Sequence, residues 1–222
     1  MKEKFIFVTD LAESILGVRW RETMALCLGV ALAFGGWNLY QSHRRSNAQA
    51  VQVLFSEALD AWEQATERRL GWDDAGVMTS AIYDSYKTSW AAPYALVLQA
   101  DAAQRQGNLQ EAIQLMARAL DELPQGTPFY TLARTKKALL MIQASDEINQ
   151  NSALKELESL AYDEKNLYAD VAFYYWGYLA YLAGERELAR QRWTPLVERY
   201  GKLPEYASPW ALLAEKQLMT LG

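Results

Sequence analysis

The chain has 222 residues, a net charge of −5, one cysteine and one histidine. A lone cysteine excludes an intrachain disulfide or a cysteine-built zinc site, and a lone histidine excludes metal or acid–base schemes that need two. Residues 1–23 carry four basic and four acidic side chains, so all the net negative charge falls after Tyr40; an acidic body has no basic stripe for a phosphate backbone, which argues against nucleic acid as a partner.

Residues 1–23 read as a short cytoplasmic segment. Asp10 and Glu13 make an N-cap pattern ahead of Leu11, Ile15, Leu16 and Val18. This predicts either the start of a longer helix or an amphipathic segment lying on the inner leaflet.

Residues 24–40 contain no charged side chain. As a helix they would rise about 26 Å, close to the hydrocarbon thickness of a bilayer. Trp20 on one side, with Trp37 and Tyr40 on the other, stand where interfacial aromatics belong. The stretch therefore predicts a single transmembrane helix. The competing reading is a cleaved signal with Ala48-Gln49-Ala50 as its site. Arg44 and Arg45 directly after the apolar run, and a helical pattern continuing across the supposed cut, favour retention. Four Lys/Arg before the span and two close after it predict a cytoplasmic N-terminus. The remainder, 41–222, then lies outside that membrane.

After Arg45 the apolar residues recur at three and four, the signature of amphipathic helices, and the prolines from Pro93 onward fall between such patterns. The fold class is all-α. Ser46–Arg69 and Asp74–Lys87 form a predicted helical pair. The best-marked helical pairs lie at 93–126 and 170–203. Within them Ala100, Gly107, Ala112 and Met116 match Gly177, Gly184, Ala189 and Trp193 in spacing. The small residues let two antiparallel helices approach, the Gly between them (Gly107, Gly184) takes a left-handed turn, and the large residues fill the space between neighbours. Between the copies a unit of Pro128–Ser145 and Ser152–Tyr162 is expected, without a turn glycine. Pro195, inside a helical pattern, is expected to bend or split it. Ser208-Pro209 opens a last, capping helix.

Phe173, Trp176, Gly177 and Ala180 resemble the W-x2-L-G-x2-Y box of the tetratricopeptide repeat family, with Trp for Leu and Ala for Tyr; Leu96, Gln99, Ala100 and Ala103 follow it more loosely. The resemblance implies a solenoid of helical hairpins closed by a C-terminal cover. With its single predicted span and the helix running out of it, the whole chain resembles the ancillary subunit family of the bacterial Sec translocon. That implies the bacterial inner membrane, a periplasmic repeat domain, and the translocation channel and periplasmic chaperones as partners.

No catalytic motif, glycine-rich phosphate loop or metal-ligand spacing is present, so neither an enzyme nor a cofactor is expected. In tetratricopeptide proteins the first helix of each unit lines a concave surface. Tyr174, Tyr178 and Tyr181 form one stripe on such a helix, and Tyr94, Val97, Asp101 and Arg105 take the equivalent places earlier. These seven residues are the candidate protein-binding groove. The alternative is that the tyrosines pack under the last helix, against Trp210, Leu212 and Leu213. A rival function is a scaffold or assembly subunit of an envelope complex, self-associating through Gly29 and Ala33 in the span. A secreted peptide-binding module would need cleavage after Ala50.

Overall fold

The computed structural model describes residues 46–144, 147–201 and 207–221. The segment expected to be cytoplasmic, the predicted span with Gly29 and Ala33, Cys27 and His43 lie outside the described residues. No described helix is long and apolar enough to cross a membrane.

Among the described residues there are nine helices and no strand. Helix α1 covers residues 46–66. It is followed by α2 (Trp72–Ser85), α3 (Ala92–Arg105), α4 (Leu109–Glu122), α5 (Pro128–Gln143), α6 (Glu147–Tyr162), α7 (Ala169–Leu182), α8 (Arg186–Tyr200) and α9 (Pro209–Leu221). From α2 onward each helix packs on the next in chain order, and α9 lies against both α8 and α7. The result is four helical hairpins and a cover. The core is correspondingly serial. Val51, Ala58, Ile82 and Ala95 form one cluster, Leu96, Met116, Leu123 and Leu140 a second, and Leu157, Leu160, Phe173, Trp193 and Leu196 a third. Each unit buries its apolar stripe against its neighbours, as a repeat must.

The turns follow the sequence closely. Gly107 and Gly184 take φ of +85° and +79° directly after α3 and α7, a conformation that costs any residue with a Cβ. Thr127 caps α5, its hydroxyl accepting from the Tyr130 amide at 3.2 Å, with Pro128 in the first turn. Ser208 does the same for α9, accepting from the Trp210 amide at 3.1 Å and donating to Asp170 at 2.5 Å.

One boundary is corrected, and of the bend or split expected at Pro195 the split does not occur. Helix α6 starts at Glu147 rather than Ser152, because nothing between them breaks a helix and Ile148, Gln150 and Asn151 are exposed, leaving the first turns free of packing demands. Helix α8 runs unsplit through Pro195. The missing amide leaves the Gln191 carbonyl without a helical donor, but Gln191 is exposed and water can serve it, while the buried face keeps Ala189, Trp193 and Leu196.

Candidate protein-binding face

The first helices of successive hairpins, α1, α3 and α5, are tied together at one level. Asp101 of α3 is only 6% exposed. Its carboxylate accepts from the Trp62 indole of α1 at 2.9 Å and from the Lys136 ammonium of α5. A buried carboxylate is costly without such partners. Asp101 thus fastens three units together, and both its oxygens are already engaged.

About two helical turns before Asp101 lies an aromatic tract. Phe55 of α1 stands 5.4 Å edge-on from Trp90, Trp90 is 6.1 Å from Tyr94, and Tyr94 is 4.7 Å from Phe129 of α5. Tyr94 and Val97 are half-buried against the second core cluster. Arg105 is exposed, its guanidinium 5.4 Å from the centre of the Trp72 ring.

The tyrosine stripe on α7 is present as a stack. Tyr174 lies 6.0 Å from Tyr178 at an interplanar angle of 9°, and Tyr178 lies 6.4 Å from Tyr181 at 23°. Tyr174 is buried beneath the cover, with Trp210 at 5.2 Å and Trp193 at 6.1 Å. Burial, then the neighbouring Tyr178 and Tyr175, push the Tyr174 phenol above its ordinary pKa. Tyr178 and Tyr181 remain partly open. Of the three cover residues set against the stripe, Trp210 does pack there, whereas Leu212 and Leu213 are exposed. The structure thus separates the seven candidates into a set around Tyr94 and Asp101 and a set on α7.

Phe55, Trp62, Trp90, Phe129 and Lys136 complete this face and were not among the seven. A signal for two of them exists in the sequence. Pro93-Tyr94 and Pro128-Phe129 repeat a proline–aromatic pair at 35 residues, the same interval that separates Asp101 from Lys136. Trp90 sits in the link before α3, where no helical period reaches it.

Among the described residues no group of His, Cys, Asp or Glu is placed to hold a metal ion. The arrangement presents partly open aromatic rings, tyrosine hydroxyls and a few cations.

No curated protein matches the chain. Among solved structures it is similar to a tetratricopeptide repeat protein from Parabacteroides merdae, at 18% identity and a TM-score of 0.59. The similarity covers 78% of this chain and 60% of that one, so this chain spans less than two thirds of its neighbour and shares with it the fold. Helical-repeat folds of this kind serve as protein-interaction adaptors. Residues 19–198 match the tetratricopeptide repeat-like domain, and with four helical hairpins, left-handed glycine turns and a capping helix in place, the chain belongs to that family.

Proposed function

We propose that this protein is a membrane-tethered adaptor that binds other proteins at the outer face of the bacterial inner membrane, working beside the Sec translocon where emerging chains pass to periplasmic chaperones. The observation that carries the tethering is the extent of the family match. It begins at residue 19, ahead of the apolar run 24–40, and continues unbroken to residue 198. That supports an apolar segment integral to the family's domain rather than a leader removed from it. Protein binding is supported by the first-helix face, where aromatic rings stay partly open on a scaffold stapled by Asp101. A tether raises the local concentration of the binding face, so modest intrinsic affinity suffices at the membrane.

Affinity purification of the full-length protein from native membranes in mild detergent tests the reading. Recovery of channel subunits and periplasmic chaperones is the expected result, and a purified chain with an intact N-terminus by mass spectrometry should accompany it. A mature protein beginning at Val51, or a preparation lacking any envelope partner, sinks it.

A further inference from the structure

The aromatic tract on α7 is roofed by Trp210, whereas the tract beside α3 ends in the open. Trp90 is 55% exposed although its ring contacts both Phe55 and Tyr94. It lies on the link between α2 and α3, and the link between α6 and α7 presents Leu167 at 71% exposure. Both links are fixed by hydrogen bonds. The Ser89 amide donates to the Tyr86 carbonyl at 2.8 Å. Asn166 is buried; its side-chain amide donates to the Leu160 carbonyl at 2.9 Å and its side-chain carbonyl accepts from the Tyr168 amide at 3.0 Å. Leu167 is thus set outward by its neighbours and not by slack in the link.

The topology puts the two links on one edge. Phe55, Tyr94 and Phe129 lie at one level and Trp62, Asp101 and Lys136 at the next, so α1, α3 and α5 run parallel. Helix α7, reached from α5 through α6, runs with them. The links into α3 and α7 therefore share the edge at which these helices start. Helix α1 enters at that same edge: Val51, its first buried residue, clusters with Ala91 at the end of the Trp90 link. Five residues, 41–45, separate the predicted span from α1. Fully extended they bridge about 20 Å at most, and α1 reaches Val51 about 8 Å later. The opposite edge lies a 14-residue helix farther off, about 20 Å more. A span ending at Tyr40 keeps the Trp90 and Leu167 edge the nearer one.

We infer, resting on the membrane-tethered reading, that this edge lies on the bilayer surface, with Trp90 and Leu167 seated among the lipid headgroups. The occupant is lipid. An indole suits that depth because its ring is apolar and its N–H polar. Lys87 and Lys165, three and two residues before these side chains, can lay their stems along the surface and keep their ammonium groups in water. Charge does not drive the contact. Asp84, Asp121, Glu122, Asp163 and Glu164 outnumber Lys87, Lys165 and the nearby Arg118, so apolar burial supplies the affinity and attraction to lipid phosphate does not. With that edge down, the first-helix face stands upright and opens sideways, toward a chain that passes beside the membrane.

The test uses the full-length protein carrying Cys27→Ser, reconstituted into phosphatidylcholine vesicles, with one cysteine introduced and labelled with an environment-sensitive fluorophore. The positions are Trp90→Cys, Leu167→Cys and, on the opposite edge, Leu182→Cys, a residue 62% exposed at the end of α7. Circular dichroism checks the helical content of each, and the two exposed leucines carry the comparison if Trp90→Cys loosens its tract. Labels at 90 and 167 should shift to the blue and lose emission to lipids bearing a nitroxide at headgroup depth, whereas the label at 182 should do neither. Equal quenching at 167 and 182, no quenching at 167 in chains that span the vesicle, or quenching that requires phosphatidylglycerol overturns the inference and leaves the tethered adaptor standing. A blue shift that nitroxide lipid does not quench, accompanied by energy transfer between labels on separate chains, assigns the edge to a second copy and overturns it as well. A chain that does not stay with the vesicles removes the tether and the inference together.

Discussion

Gly177 has no room for a methyl group. A Cβ built there would sit 2.5 Å from Cδ1 and Nε1 of Trp193. The ring is not free to retreat, because its Nε1 donates to the Tyr174 carbonyl at 2.9 Å and the residue is wholly buried. Gly177→Ala should therefore destabilise the protein by about 1–3 kcal/mol, the usual cost of overpacking, read as a lower denaturant midpoint. This site was legible in advance, since the sequence pattern places a small residue where two helices touch. Tyr174 gives a second expectation. Its phenol titrates above the ordinary value of 10.0 mainly because it is buried. The folded state therefore holds a proton that the unfolded chain gives up first. The sign follows from linkage: the contribution is complete below about pH 10 and is lost as pH rises beyond it. Unfolding measured across that range should show a loss of stability that Tyr174→Phe reduces. A variant with the wild-type alkaline slope would show that Tyr174 is not the group responsible. What the sequence concealed at this scale was the use of Asp101. A polar residue on an inner face reads as a ligand contact, and only the positions of Trp62 and Lys136, 39 and 35 residues away, show that it is spent on structure.

Among the elements, α8 carries the clearest local conflict. Pro195 lies inside it without splitting it, so the helix bears the loss of one backbone bond at the Gln191 carbonyl. Pro195→Ala restores the donor and should stabilise the protein by about 1–3 kcal/mol. A lower melting temperature in that variant would instead mean that the half-buried ring contributes more through packing than the restored bond returns. Helix boundaries elsewhere were legible wherever a chemical stop exists. Gly107, Gly184, Thr127-Pro128 and Ser208-Pro209 all mark ends that the structure keeps. The start of α6 was not legible, because "DEINQNS" holds neither a proline nor a glycine and its register is set by the Leu157 and Leu160 contacts further along. Arg68, just after α1, likewise takes a φ of +63°, a left-handed turn with no glycine to announce it.

For the molecule as a whole, serial packing makes the cover decisive. Helix α9 buries Ala211 and Ala214 against the last hairpin and brings Trp210 onto Tyr174 and Tyr175. Ser208 to Asp170 and Arg190 to the Leu221 carbonyl, at 3.4 Å, fasten its two ends. Truncation before Pro209 would open an aromatic face and remove the terminal unit that repeat arrays need for solubility. The shortened chain should melt earlier, bind a hydrophobic dye and aggregate, whereas an unchanged melting curve would show that the first eight helices are self-sufficient. The all-helical class was readable at this scale from periodicity, and the repeat from the matched spacing of Gly107, Ala112 and Met116 with Gly184, Ala189 and Trp193. The division of the inner face into an open and a roofed tract was not, because it depends on where the cover comes to rest. The staple at Asp101 also has a consequence in time. A ribosome delivers the carboxylate 35 residues ahead of the ammonium that neutralises it, an interval of about 2–7 seconds at ordinary elongation rates. Until then the carboxylate can share only the Trp62 indole and water, so the staple closes when the third hairpin arrives.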